Sequence, residues 1–267
     1  MMTDLYNLLY SKNMIRLLLI ILTIAISSGV MAQEDIQAKP VKRLLMGFGS
    51  ANVMDTYLSP YSYNHKDFRC DLIYEEFGRD SKMYQGAGFH LATMENHARN
   101  VREYDFGLYT QFTYRFLQME RGAFNLKAGP MGYLYAGGLY NERNGNNPAQ
   151  ARFSLMADLS AMLTYGFSLW GKDFELEYAL DVPFVGLAYS PQFGQSYYEQ
   201  FLLNDYDHNC VFAHFVNTPS IRHRLLLNFP FFDKRWFIGY NGVMDQTKYN
   251  GLRYHSYSHQ FIIGWKL

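Results

Sequence analysis

Ala151–Trp170 reads ARFSLMADLSAMLTYGFSLW, and this stretch decides the fold. Its odd positions run from Ala151 through Phe153, Leu155, Leu159, Leu163, Tyr165 and Phe167 to Leu169, all apolar or aromatic. Its even positions carry Arg152, Ser154, Met156, Asp158, Ser160, Met162, Thr164, Gly166 and Ser168. A helix would scatter the two sets around its circumference, whereas a strand puts each on one side. The run is also long. A strand of a globular sheet has about five or six residues, whereas a tilted strand that crosses a membrane needs about 9–11. The reading is a membrane-spanning strand with one lipid face and one lumen face.

The same alternation returns along the chain. Tyr104–Phe116 sets Tyr104, Phe106, Leu108 and Phe112 against Asp105, Gly107, Tyr109 and Arg115. Phe174–Phe184 sets Phe174, Leu176, Tyr178 and Leu180 against Glu175, Glu177 and Asp181. Ile221–Phe231 sets Leu225, Leu227 and Phe229 against Arg222, Arg224 and Asn228. Weaker runs lie at Leu44–Gly49, Phe68–Glu75, Tyr84–Thr93, Phe124–Ala136, Trp236–Val243 and Tyr254–Leu267. The expected fold is all-β: an antiparallel transmembrane β-barrel of about ten strands. The connections alternate too. Long ones are expected at 51–66, 94–102, 138–150 and 188–220, and short ones at 77–82, 118–122, 171–172 and 232–235. The connection at 245–251 is intermediate. Short turns on one side and long loops on the other are the asymmetry of outer-membrane barrels.

The N-terminus predicts export. Lys12 and Arg16 precede the apolar run Leu17–Ile26, and Val30-Met31-Ala32 offers small or tolerated residues at a cleavage site. The run is short of the roughly 20 apolar residues a spanning helix needs. Residues 1–32 are therefore expected to be a cleaved signal peptide and 33–267 the barrel domain, with Met14 an alternative start. The 267 residues carry a formal net charge of +0, which gives no reason to expect nucleic acid as a partner. Aromatic residues make up 18% of the chain, a content that suits membrane–water interfaces. The expected location is the outer membrane of a Gram-negative bacterium. The expected partners are its lipid, its assembly machinery and an extracellular ligand or protein. The closing alternation Phe261, Ile263, Trp265, Leu267 resembles the signal that assembly machinery reads.

Sorted by the alternation, Asp105, Arg115, Lys127, Arg152, Asp158, Glu175, Glu177, Asp181, Arg222 and Arg224 fall in the lumen, with Lys266 beside them. Charges of both signs in a narrow barrel are expected to neutralise one another. Asp181 and Arg224 are expected at similar depth as an ion pair. Glu175 and Glu177 have a spacing that an inverting glycosidase pair can use, yet no cleft is implied. The longest loop holds Asp205, Asp207 and His208, with His214 further on, the one cluster that offers rim acid–base chemistry. Asp55–Pro60 (DTYLSP) is a turn whose Tyr57 and Leu58 can cap the barrel mouth. Cys70 and Cys210 permit a disulfide in an oxidising compartment. No metal or cofactor is expected.

Gly47-Phe48-Gly49, Asp55-Thr56-Tyr57-Leu58-Ser59-Pro60 and His259-Gln260-Phe261-Ile262-Ile263-Gly264 together resemble a family of exported Bacteroidetes proteins of porin-like appearance. The resemblance implies a small outer-membrane barrel and brings no activity with it. Three functions fit these readings. The first is a non-enzymatic barrel whose outer loops bind a ligand or stabilise the envelope, and it needs least. The second is a narrow channel for small solutes. The third is a membrane-embedded hydrolase with a His/Asp site at the rim.

Overall fold

The computed structural model describes residues 41–75, 83–95, 101–145 and 147–267. The expected signal peptide, the connection 77–82 and most of 94–102 lie outside these residues. The chain forms β1 (Val41–Asp55), β2 (Tyr63–Glu75), β3 (Met83–Glu95), β4 (Arg102–Tyr114), β5 (Leu117–Arg121) and β6 (Phe124–Asn141). There follow β7 (Ala149–Leu169), β8 (Lys172–Tyr189), the short helix α1 (Tyr197–Phe201), β9 (Cys210–His214), β10 (Ile221–Phe231), β11 (Lys234–Tyr249) and β12 (Leu252–Lys266). All pairings are antiparallel. β4 and β5 both pair with β6 and make one interrupted stave. β9 and β10 both pair with β8 and make another. The sheet is thus a barrel of ten staves. It closes because β12 pairs with β1, Trp265 opposite Leu44 and Phe261 opposite Phe48, so the first and last strands leave no open edge between them.

The registers fix the barrel's dimensions. From Phe48, the route through Phe68, Leu91, Phe106 and Gly138 reaches β7 at Ala151. The opposite route through Phe261, Tyr240, Leu225 and Tyr178 reaches it at Leu163. The stagger is 12 residues, which for ten staves sets a tilt of about 40°. A 15-residue strand such as β1 then rises roughly 38 Å along the axis, against an apolar band of roughly 25 Å.

The exterior carries that band. Phe48, Leu72, Leu91, Phe106, Leu108, Leu159 and Phe261 are exposed on the outer wall. A ring of exposed apolar side chains on this scale is unfavourable in water and favourable in lipid, so the barrel spans a membrane. A girdle of aromatic contacts runs around the end that holds both termini of the barrel. It includes Phe124–Tyr165, Phe167–Phe174, Phe231–Trp236 and Trp236–Trp265. Trp170 and Phe232, 86% and 88% exposed, sit on two-residue turns of this end. Beyond the band, Ser50 and Asn52 of β1 and Asn64 and Lys66 of β2 face outward at the loop end.

The loops are shorter than the sequence suggests, because strands run on past the lipid band. β1 continues to Asp55, leaving only 56–62 before β2. The outward residues there are polar, which hides the alternation. The expected connection 245–251 is mostly strand, ending in a two-residue turn at Asn250-Gly251 (φ 49° and 79°). The expected connection 188–220 contains the end of β8, α1 and β9. One irregularity interrupts β8. Pro183 has no N–H to give the ladder, and the register shifts here: Asp158 faces Pro183, Ala157 faces Val185, and Phe184 has no partner on β7. Past this bulge, Gly186 and Ala188 face the lumen while Val185 and Leu187 face out.

Cys70 and Cys210 are both free, so the disulfide that the sequence permits is not formed. β2 and β9 have β3, β4, β6, β7 and β8 between them, and both thiols lie on the outward faces of their strands, so the sulfurs cannot meet. The exported chain is expected to show one electrophoretic mobility with and without reductant, and Cys70→Ser with Cys210→Ser to leave its melting temperature unchanged. A reductant-dependent shift of the monomer would contradict this placement.

Candidate functional site

Inward side chains fill the barrel in layers. Nearest the terminal end, Leu45, Ile73, Tyr84, Leu226, Phe237 and Ile262 form a continuous apolar cluster, each at most 3% exposed. A charged layer is built around it. Arg43 Nη1 donates to Glu177 Oε2 at 2.7 Å, and Arg224 Nη2 lies 3.8 Å from Glu177 Oε1. Arg224 also donates to the Tyr84 hydroxyl at 2.9 Å. The Arg43 and Arg115 guanidiniums lie over the Phe237 and Tyr84 rings at 4.8 and 4.7 Å. Three arginines, one carboxylate and packed apolar groups thus fill the lumen at this depth, with Glu177 offsetting part of the buried positive charge.

Above this seal lies a chamber of about 120 Å³, walled by Asp55, Asp67, Arg69, His90, Tyr109, Tyr133, Tyr135, Arg152, Arg222, Asp245 and Tyr254 among others. Two of its arginines are neutralised. Arg69 Nε donates to both Asp71 oxygens at 3.2 Å, and Arg222 pairs with Asp158. Arg69 and Arg222 also stack on the Tyr109 and Tyr133 rings at 4.3 and 3.9 Å. Asp67 Oδ2 accepts from Ser258 Oγ at 2.6 Å and Gln260 Nε2 at 2.8 Å. His90 and Tyr135 lie stacked, 3.1 Å from Nε2 to the hydroxyl. They occupy the space above Gly107 and Gly137, where any Cβ would collide with the His90 ring or the Tyr135 hydroxyl.

A lid covers the loop end. Residues 56–62 turn over Asp55, whose side chain accepts from Tyr57 N at 3.0 Å, and Leu58 is buried with Val53, Tyr63 and Tyr254. The Tyr57 hydroxyl donates to Gln195 O at 2.9 Å and its ring meets Tyr197 edge-on. Burial, with the Tyr197 and Asp55 oxygens nearby, pushes the Tyr57 phenol up to about 12, so it remains a donor at neutral pH. α1 is held by a reciprocal cap between Ser196 and Glu199, and Asn209 ties its loop to Ser190 O and Gln195 Oε1.

The residues expected in the lumen occupy the inner wall at different depths. Asp105, Asp158, Arg115 and Glu177 are buried, and Lys127, Arg152, Glu175, Asp181, Arg222 and Arg224 are partly so. The expected Asp181–Arg224 pair is corrected: register sets Arg222 opposite Asp181 and Ala179 opposite Arg224, and Arg224 turns to Glu177 and Tyr84. Lys266 is exposed at the terminal rim instead of joining the lumen. Glu177 is bound by Arg43 and Arg224 and does not line the chamber, so its carboxylate is committed to arginines and not presented to a cleft. Asp207 and His208 meet at 2.8 Å in solvent, 61% and 75% exposed. Asp205 caps the Asp207 backbone, and His214 lies on the outer wall beside Phe212 and Phe215. The four residues do not converge. Among the described residues no group of three or more His, Cys, Asp or Glu side chains gathers into a metal site.

Sequence reasoning passed over the inward charges Arg43, Asp55, Asp67, Arg69, Asp71, Glu103 and Asp245. Asp67, Arg69 and Asp71 alternate with Phe68, Cys70 and Leu72, a signal that was there to sort. Arg43→Met is expected to destabilise the folded barrel by about 3–5 kcal/mol, read from its denaturant midpoint, because Glu177 loses its nearest cation. His208→Ala is expected to leave that midpoint unchanged.

Solved structures similar to this chain include two autotransporter barrels. The NalP translocator domain of Neisseria meningitidis is 11% identical, with 89% of this chain and 92% of that one covered and a TM-score of 0.37. The AIDA-I transport unit of Escherichia coli is 9% identical, with 88% and 90% covered and a TM-score of 0.41. Ail of Yersinia pestis is 12% identical, with 86% and 99% covered and a TM-score of 0.26. No curated protein sequence matches the chain. The family model "Protein of unknown function (DUF3316)" matches residues 15–266, and the chain belongs to that family.

Proposed function

We propose that the chain is a non-conducting outer-membrane β-barrel of a Gram-negative envelope, of the Bacteroidetes type that its motifs resemble. In this reading residues 1–32 direct export and are removed, and assembly machinery inserts 33–267. The loop end, lidded by 56–62 and 190–209, faces outward and serves binding or envelope structure. The observation that carries the reading is the apolar seal of Leu45, Ile73, Tyr84, Leu226, Phe237 and Ile262 across the lumen. A hydrated ion would have to shed its water to cross it, at a cost the layer does not offset. A rim hydrolase has less support, because Asp207–His208 is solvated and lies apart from His214.

Purified protein is expected to change gel mobility when boiled and to give no conductance in planar bilayers. A combined Leu45→Ala, Leu226→Ala, Phe237→Ala variant is expected to conduct. Stepwise conductance of the unsubstituted protein would overturn the closed-lumen reading, and a mature chain that stays soluble without detergent would overturn the membrane reading.

A further inference from the structure

The outer wall is not apolar all the way round. On β10, β11 and β12 the outward residues His223, Tyr240 and His259 carry polar atoms. They share the outer face with the exposed Leu225 and Phe261, whereas Leu226, Phe237 and Ile262 of the same strands are buried in the lumen. The rings of His223 and Tyr240 have centroids 5.5 Å apart, and those of Tyr240 and His259 6.0 Å. The Tyr240 hydroxyl and His259 Nδ1 share a hydrogen bond. His223 stands opposite Gly242 and Gly242 opposite His259, so the row crosses three neighbouring staves. A Cβ at Gly242 would strike the His223 ring, which occupies the space that a side chain there would take. Among the described residues His223 has ring contacts with Tyr178 and Tyr240 and no hydrogen bond, and His259 is exposed and uses Nδ1 alone.

Depth makes this row costly in lipid. At the tilt of the staves each residue rises roughly 2.6 Å along the axis. Trp236 and Trp265 belong to the aromatic girdle at one edge of the apolar band. Tyr240 lies four residues beyond Trp236, and His259 six residues from Trp265. They stand roughly 10 and 16 Å into a band roughly 25 Å tall. Lipid tails offer no hydrogen bond, so polar groups at this depth call for a protein partner. The opposite wall differs. β4, five staves from β11, presents Phe106, Leu108 and Phe112, and its Thr110 hydroxyl donates to Gly86 O at 3.1 Å.

We propose that the face of β10, β11 and β12 is the interface with a second copy of this chain. Copies of one barrel in one membrane point the same way. A symmetric pair therefore turns about an axis along the membrane normal, and side chains meet others at their own depth. Neutral imidazole and phenol each donate and accept, so a row of them near the middle of the band is complementary to itself. The row carries no carboxylate, lysine or arginine, so it asks for no opposite charge from a partner. The inference rests on the membrane reading and does not need the closed lumen.

The test is disulfide trapping in the membrane, in a chain that carries Cys70→Ser and Cys210→Ser. Phe261→Cys places a thiol on the exposed face of β12, opposite Tyr240 and two residues from His259. Oxidation before solubilisation is expected to give a band of two chains on a non-reducing gel, which reductant returns to one. Leu108→Cys, exposed on the β4 wall, is expected to stay a single chain. Adding His223→Leu, Tyr240→Phe and His259→Leu to Phe261→Cys is expected to abolish the two-chain band, and His223→Leu alone to weaken it. Each variant's heat-dependent gel shift reports whether its barrel has formed. Four results would overturn the proposal: a single chain from Phe261→Cys; a band that joins it to a different protein; equal trapping of Leu108→Cys, as for random collision; or an undiminished band once the row is removed. A chain that stays soluble without detergent would instead overturn the membrane reading beneath it.

Discussion

The lower lumen depends on one carboxylate. Glu177 reaches Arg224 on the adjacent stave and Arg43 on β1, beyond β10, β11 and β12, and Arg43 is 134 residues away in the chain. Each arginine alone would be an uncompensated charge in a confined, poorly hydrated space. With Glu177 between them they become spacers, and their flat guanidinium faces cover Phe237 and, from Arg115, Tyr84. The apolar seal and the ion network are therefore one object. Bulky rings close the bore, and the arginines fill the gaps that rings leave against a cylindrical wall.

The chamber above it is built by the opposite device. Small residues on the inner wall, including Gly107, Gly137, Gly186 and Ala188, leave room that His90, Tyr135 and the arginines partly occupy. Two of the arginines are neutralised and the third is not, so the upper lumen differs from the lower in more than width. A barrel of fixed stagger cannot shrink to close such a space, because its radius is set by stave number and register. The lid of 56–62 and 190–209 narrows the mouth of the space through side-chain-to-backbone bonds, Tyr57 to Gln195 above all.

What was legible in the sequence was whatever has a period of two. Ala151–Trp170 and Tyr104–Phe116 give strand, length and facing directly, and Asp105, Arg152 and Asp158 follow from them. The strand ends were less legible, since β1 past Ser50 and β11 past Asp245 leave the lipid band and no longer need apolar residues outside. Pairing across the lumen was not legible at all. Alternation says that Glu177 points inward, but which partner it takes depends on stagger and side-chain reach. For the same reason the expected partner of Arg224 is Asp181, four residues along β8 from the carboxylate it meets. The loop residues Asp205, Asp207 and His208 looked like a cluster because they are close in sequence, a closeness that says little about convergence in a solvated turn.

The bulge at Phe184 has a consequence for the volume of the protein's interior. It acts as a phase shift in the chain: on one side of it the odd residues of β8 face in, on the other the even ones. Were Phe184 deleted and the ladder made regular, Val185 and Leu187 would turn inward, and Gly186 and Ala188 would turn to the outer wall. Two branched side chains would then occupy the upper lumen where two small ones now stand, and the chamber would shrink. A single residue without a partner on β7, placed next to a proline that has no N–H for the ladder, thus helps set how much of this barrel is hollow.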